Sequence, residues 1–321
     1  MQTVVEVQDL RKVYGDVVAV DGISFDVYAG EIFGMVGPNG AGKTTTIECV
    51  EGLRKPTAGT LHTLGLNPQG ERRALMERIG VQLQESALPN RLKAGEALDL
   101  FATFYERPLP PADRDALLER LGLAGKRGRP FAKLSGGEKQ RLFIGLALVH
   151  DPELVFLDEL TTGLDPHARR DMWDLVRDVR NRGKAVFLTT HYMEEAERLC
   201  DRVAIIDQGH IVELDTPENL IRSLGAEEQI LFVADAVAPA DMDFLRGLPV
   251  VTRLEQAGGR WVVYGQGDRF VGNVVTALED HRIPFRDLRT RQPTLEDVFL
   301  ALTGRQMEGN SRTHELSDRV S

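Results

Sequence analysis

Short continuous runs of apolar residues recur along the first two thirds of the chain. They lie at Ile32 to Val36, Leu154 to Leu157 and Ala185 to Leu188, the last two preceded by Pro152 and Gly183. Runs of this length predict strands buried on both faces of a parallel sheet. By contrast, residues 2–8 and 23–28 alternate between apolar and polar positions, which predicts two antiparallel strands where the chain enters the sheet.

The pattern is helical between residues 87 and 150, where apolar positions recur at helical spacing. Beyond Pro217 it changes to short strands with a single helix between them, which predicts a small α+β domain. We therefore predict a first domain over residues 1–216, with the helical subdomain inserted at about 87–150, and an accessory domain over 217–304. The polar residues 305–321 are expected to form a disordered tail.

Composition narrows the class of protein. Hydrophobic residues make up 42% and charged residues 27% of the 321 positions, which is typical of a folded globular chain. The formal net charge of −10 disfavours nonspecific binding to nucleic acid. No apolar run approaches the ~20 residues of a membrane span, and no secretory signal opens the sequence. We therefore expect a cytoplasmic protein with reduced thiols at Cys49 and Cys200.

A glycine-rich segment follows the first predicted buried strand and precedes a predicted helix. It matches the phosphate-loop pattern G-x-x-x-x-G-K-[ST], in which backbone N–H groups surround phosphate oxygens. In this pattern Lys43 reaches the β- and γ-phosphates of ATP, and Thr44 is a ligand of Mg²⁺. The predicted nucleotide-binding residues are Gly37, Pro38, Asn39, Gly40, Ala41, Gly42, Lys43, Thr44 and Thr45.

Two carboxylates end the second buried strand. Asp158 and Glu159 directly follow Leu154 to Leu157, where their burial is unfavourable unless a cation or water engages them. An acidic pair at a strand end can also be a helix cap. Together with the phosphate loop, however, it predicts that Asp158 binds Mg²⁺ and that Glu159 orients and deprotonates the attacking water.

A third motif, Leu134-Ser135-Gly136-Gly137-Glu138, predicts a second glycine-containing helix start whose hydrogen-bond donors point outward to an anion. By itself such a segment can also be a capped surface helix. With the phosphate loop, the Asp158-Glu159 strand, Gly163-Leu164-Asp165 and Thr190-His191, it occurs in the order found in ABC-type ATPases. Residues 3 to 215 therefore resemble this family. The resemblance implies a P-loop NTPase (RecA-like) α/β core with an antiparallel β edge and an inserted helical subdomain.

The same resemblance implies roles for individual residues. The resemblance implies a head-to-tail dimer in which the phosphate loop of one subunit and the Ser135, Gly136 and Gly137 segment of the other enclose each ATP. It implies that Tyr14 stacks on adenine and that Asp165 couples the two sites. His191 would contact the γ-phosphate, and Gln84, with Gln82 as the alternative, would contact Mg²⁺ or water. The family usually has proline after the catalytic glutamate, whereas this chain has Leu160.

The last segment of the chain indicates the kind of transport in which the protein takes part. The end of the chain, Gln292 to Leu300, resembles drug-resistance export ATPases of the daunorubicin-resistance (DrrA-like) type. We expect the motor of an exporter that pairs with itself and with multispan membrane permease subunits at the inner face of the membrane, for drugs or other lipophilic compounds. An importer motor and an ABC ATPase acting on ribosomes or DNA are the alternatives.

Overall fold

The computed structural model describes residues 2–82, 87–223, 227–234, 238–257, 259–267 and 269–304. Within these ranges the chain divides into two compact units, a larger one of residues 2–217 and 302–304 and a smaller one of Glu218–Ala301. Among the residues that the structure describes, no helix is both long and apolar enough to cross a lipid bilayer.

A six-stranded sheet forms the centre of the larger unit. Its strand order is β5-β6-β7-β3-β8-β9, and only β9 runs antiparallel to its neighbour. The side chains of β3, β6 and β7 are buried along their whole length, as their apolar runs predict. The strands are β3 Ile32–Val36, β5 Ile79–Gln82, β6 Leu154–Asp158, β7 Ala185–Thr190, β8 Arg202–Asp207 and β9 His210–Asp215.

A second, antiparallel sheet packs against this centre. It consists of β1 (Thr3–Tyr14), β2 (Val17–Tyr28) and β4 (Ala58–Thr63) in the order β2-β1-β4. Phe25 of β2 stacks on Phe33 of β3 with ring centroids 5.3 Å apart, and the Phe33 ring meets Phe187 of β7 edge-on at 5.2 Å. These aromatic contacts join the two sheets into one core, and the predicted antiparallel edge is confirmed.

The helices of the larger unit follow the predicted pattern. Three of them, α3 to α5, lie between residues 94 and 148 and form the inserted helical region. Leu117, Leu121 and Leu142 are buried among them because their apolar faces point inward. The helices are α1 Lys43–Val50, α2 Arg72–Met76, α3 Ala94–Ala102, α4 Pro111–Arg120, α5 Gly136–Leu148, α6 Pro166–Asn181 and α7 Met193–Leu199.

The smaller unit has the predicted α+β character, and its topology is that of a split βαβ fold. Its antiparallel sheet has the order β11-β12-β10-β13. Phe232, Val263 and Phe270 belong to its buried core. The elements, after α8 Pro217–Ser223, are β10 Glu228–Val233, a 3₁₀ segment Pro239–Gly247, β11 Val251–Ala257, β12 Arg260–Gly265, α9 Phe270–Asp280, β13 Arg286–Arg291 and α10 Leu295–Thr303.

Strand β13 was missed by the sequence pattern. Its residues are Arg-Asp-Leu-Arg-Thr-Arg, and Arg286, Arg289 and Arg291 are exposed. It pairs with β10 on one side and is the last strand in the sheet order. A strand at this position needs little apolar surface, so its hydrophobic signal is weak.

The aromatic core gives a test of the packing. Phe187 is fully buried, so Phe187→Ala removes a ring from contact with Phe25, Phe33 and Phe156. We expect the larger unit to lose about 3–5 kcal/mol of unfolding free energy. Denaturant unfolding followed by Trp173 fluorescence in a Trp261→Phe background reports that unit alone.

The matched control is Phe104→Ala, because the Phe104 side chain is 64% exposed in the same unit. We expect it to change the unfolding free energy by less than about 1 kcal/mol. Equal losses in the two variants would contradict the assigned core.

Candidate functional site

Three parallel strands bring their carboxyl ends together at one edge of the central sheet. Strands β6, β7 and β3 are consecutive neighbours in the sheet order. Asp158 at the end of β6 is paired with Thr189 of β7, and Thr190 is paired with Val36 of β3. The phosphate loop, the acidic pair and His191 therefore emerge side by side, at the edge where open α/β sheets bind their ligands.

The phosphate loop is held by close backbone packing that requires glycine. A Cβ atom on Gly37 would lie 2.1 Å from the carbonyl oxygen of Ile206, and one on Gly42 would lie 2.5 Å from that of Ala19. Gly42 is also the N-cap of α1, with a φ of 108°. The loop thus runs directly into the helix start, whose free N–H groups and dipole favour an anion.

Lys43 points back into the loop that carries it. Its Nζ donates hydrogen bonds to the carbonyl oxygens of Gly37 (2.8 Å) and Pro38 (3.0 Å), and lies 3.9 Å from Glu159 Oε1. Burial lowers the pKa of Lys43, while the carboxylates of Glu159 and Asp158 oppose that shift. An ammonium held by carbonyl oxygens is ready to exchange them for phosphate oxygens.

Asp158 is buried at the end of β6, with 4% of its surface exposed. Its Oδ1 accepts a hydrogen bond from the hydroxyl of Thr189, its partner across the strands. Burial, followed by the charge of Glu159, raises its pKa, whereas hydrogen bonds from Thr189 and Thr44 and the charge of Lys43 lower it. Asp158 and Thr44 are therefore neighbours, as a shared metal ion requires.

Glu159 faces His191. Its Oε1 lies 3.3 Å from His191 Nδ1, a contact that becomes an ion pair when the imidazole is protonated. The imidazole lowers the pKa of Glu159 most, against desolvation, and Lys43 adds to the effect. A carboxylate that stays ionised at neutral pH can accept a proton from water.

These residues fit MgATP. Within the described ranges, no group of three or more His, Cys, Asp or Glu side chains is arranged to hold a metal ion. Thr44 and Asp158 offer a hydroxyl and a carboxylate that are in contact with each other. Mg²⁺ bound with a nucleotide takes one or two protein ligands and completes its coordination with phosphate oxygens and water. The glycine-lined loop supplies the place for those phosphates.

A second group of predicted site residues surrounds the starts of α5 and α6. Ser135 caps α5, its hydroxyl accepting from the Glu138 N–H at 3.2 Å, and both Ser135 and Gly136 are exposed. Asp165 caps α6, its carboxylate accepting from the N–H groups of His167 and Ala168. A Cβ on Gly137 would lie 3.5 Å from the Ala168 side chain, so the two helix starts are adjacent.

The other predicted site residues are Tyr14 and Gln84, with Gln82 as the alternative to Gln84. Tyr14 ends β1 with 37% of its surface exposed, and Lys12 Nζ and the Arg54 guanidinium lie 4.9 Å and 5.2 Å from its ring centre. Gln84 lies outside the described residues. Gln82, its alternative, is buried at the end of β5.

Sequence reasoning missed the threonines that hold the acidic pair. The Thr189 hydroxyl contacts Asp158, and the Glu159 N–H donates to the Thr189 carbonyl oxygen at 3.1 Å. The Thr162 hydroxyl donates to Glu159 Oε2 at 3.4 Å. The polar pair Thr189-Thr190 that ends an apolar strand is the signal that could have indicated them, because Asp158-Glu159 ends its strand in the same way.

Comparison with known proteins agrees with this geometry. The family model for ABC transporters matches residues 20–162. The Nod factor export ATP-binding protein I of Ralstonia nicotianae is 38% identical over 310 residues, covering 95% of each chain. Its counterpart in Paraburkholderia xenovorans is 39% identical over 319 residues, covering 96% of this chain and 99% of that protein. This chain belongs to the ABC transporter ATP-binding family.

A solved ATP-binding subunit of an ABC transporter is similar to the fold at 29% identity, with a TM-score of 0.62, covering 69% of this chain and 93% of that one. The predicted P-loop NTPase fold is therefore confirmed. As an ABC transporter ATPase, the chain binds ATP with Mg²⁺ and hydrolyses it to drive transport. Subunits of this family dimerise and work with membrane permease subunits.

The position of Lys43 generates a binding prediction. Because a charge-assisted contact to phosphate is worth roughly 1.5–3 kcal/mol, we expect Lys43→Ala to raise the Kd for MgATP about tenfold or more. Isothermal titration measures it. Lys184→Ala is the control, because Lys184 pairs with Asp151 at 2.8 Å instead of lying in the loop. An unchanged Kd for Lys43→Ala would contradict the assignment of the loop.

Proposed function

We propose that this ABC ATPase is the motor subunit of a bacterial exporter. The observation that carries the proposal is the extent of similarity to the Nod factor export proteins, which covers 95% of this chain and therefore includes the smaller unit. Similarity confined to the nucleotide-binding core would carry no information on direction, because that core is common to the family. We accordingly assign residues 1–216 as the ATPase domain and 217–304 as an accessory domain of an export system.

The proposed chemistry assigns one task to each side chain of the central group. Lys43 binds the β- and γ-phosphates of ATP. Thr44, Asp158 and Gln84 would hold Mg²⁺, which would neutralise charge on those phosphates. Glu159, which its lowered pKa keeps ionised, accepts the proton of the attacking water, and His191 contacts the γ-phosphate.

The second group is proposed to act across a dimer. Ser135 and Gly136 are exposed at the start of α5, which is adjacent to the start of α6. The phosphate loop instead precedes α1. In a head-to-tail homodimer, Ser135, Gly136 and Gly137 would meet the nucleotide of the partner subunit, and Asp165 would couple the two sites. Tyr14, exposed and flanked by two cations, is proposed to stack on adenine.

Multispan permease subunits are the proposed membrane partners. The ATPase would then lie on the inner face of the cell membrane, attached through those subunits. The acidic net charge of −10 favours this role over one on nucleic acid. Two observations bear on the transported compound. The C-terminal resemblance favours drugs or other lipophilic compounds, whereas the similar proteins are named for the export of Nod factors.

The role of Glu159 is tested by Glu159→Gln, which keeps the shape of the side chain and removes the base. We expect ATP to bind but turnover to fall by ~10²–10⁴, the usual scale of general-base assistance. The variant should accumulate as an ATP-bound dimer on size-exclusion chromatography. Glu194→Gln, at an exposed carboxylate on α7, is the control. Wild-type turnover in Glu159→Gln would refute the assignment.

Co-purification tests the transport assignment. The tagged chain is purified from detergent-solubilised cells, and we expect a stoichiometric multispan protein to accompany it. Ribosomes or DNA-repair proteins without a membrane partner would overturn the assignment in favour of another class of ABC ATPase, and a substrate-binding protein would favour import. Reconstitution of the complex in inside-out vesicles then measures the direction of ATP-dependent movement.

A further inference from the structure

The backbone at Glu159 has a conformation that needs support. Its φ is +49°, in the left-handed region that residues with a side chain rarely adopt. The next residue is Leu160, which lacks the fixed φ of a proline. A residue in this conformation persists only where its surroundings determine it. The contacts of the segment that follows Glu159 therefore help to hold the Glu159 backbone in this conformation.

That segment is tied to a buried carboxylate on α7. Glu195 is 2% exposed, and Thr161, two residues after Glu159, is 1% exposed. The Thr161 hydroxyl donates to Glu195 Oε2 at 3.1 Å. Trp173 Nε1 of α6 donates to the other oxygen, Oε1, at 3.2 Å. Burying a carboxylate is unfavourable unless donors of this kind surround it.

The same carboxylate reaches the strand that carries His191. Thr190, the residue before His191, is a further hydrogen-bonding neighbour of the Glu195 carboxylate. The Thr190 hydroxyl also accepts from the Tyr192 N–H at 3.0 Å, so both sides of His191 are fixed. Glu195 therefore connects the chain just beyond Glu159 to the chain just before His191.

We propose that Glu195 is a positioning residue for ATP hydrolysis, which sets Glu159 against His191 through Thr161 and Thr190. The proposal rests on the proposed role of Glu159 as the base. In this scheme, side-chain hydrogen bonds to Glu195 restrain the backbone after Glu159, in place of the restraint that a proline at position 160 would supply. Glu195 itself touches neither ATP nor water in this scheme, and its effect is on the placement of Glu159.

A purely structural role for Glu195 makes a different prediction. If the carboxylate served only to pack α6 against α7, then every donor to it would matter for stability and none specifically for turnover. The two oxygens allow a distinction, because Thr161 binds one and Trp173 binds the other. Only the bond from Thr161 leads to Glu159.

The experiment uses the full-length chain and measures kcat, KM and Kd for ATP, and Tm. Thr161→Val removes the hydroxyl at nearly constant shape, and we expect kcat to fall about tenfold while KM and Kd change less than about twofold. Thr161→Ser, which keeps the hydroxyl, should retain wild-type kcat. Trp173→Phe should lower Tm and leave kcat within about twofold of wild type.

Two further variants separate the inference from the proposed function. Glu195→Gln should reproduce the loss in Thr161→Val, and the double variant should be no slower than either, because both act on one connection. In a Glu159→Gln background, Thr161→Val should have no further effect on kcat, since the group that it places is gone.

The outcomes are distinct. Wild-type kcat in Thr161→Val, or an equal loss in Trp173→Phe, would overturn the positioning role. If Glu159→Gln is inactive while Thr161→Val is fully active, only this inference fails. If Glu159→Gln turns over normally, the proposed function of Glu159 fails, and the positioning role with it.

Discussion

Three charges are buried side by side where the parallel strands β3 and β6 end, and the rest of the site depends on how they are balanced. Lys43 and Asp158 are each 4% exposed, and the Glu159 side chain is 8% exposed. Charges this far from water need partners, because desolvation disfavours the ionised form. Lys43 supplies the positive charge for both carboxylates, and loop carbonyls and threonine hydroxyls complete the set. Contacts within the protein thus hold the three side chains together.

The hydrophobic framework makes such an arrangement possible. Phe25, Phe33 and Phe187 clamp the strands that carry the phosphate loop and His191, and cross-strand pairing fixes Asp158 opposite Thr189. Strand register is difficult to change when both faces are buried, since a slip by one residue would turn every side chain to the other face. The positions of the charged groups thus follow from the packing of apolar ones.

Sequence reasoning named the residues of this site that one short segment encodes. The phosphate loop, Asp158-Glu159 and the Ser135 helix start each lie within a few residues. Glu195 was not predictable in this way, because it lies in Glu194-Glu195-Ala196-Glu197, which looks like the exposed face of a helix. Its burial depends on Thr161 and Trp173, which only the fold brings near. Strand β13 escaped for a related reason, since its place in the sheet comes from pairing with β10 rather than from its own apolar residues.

The arginines of β13 also affect how copies of the protein meet. An end strand offers unpaired N–H and C=O groups to any other extended chain, and charged side chains along it are a recognised barrier to such pairing. Arg286, Arg289 and Arg291 place like charges where a second β13 would have to align. Pairing of two small sheets through their β13 strands is thereby disfavoured.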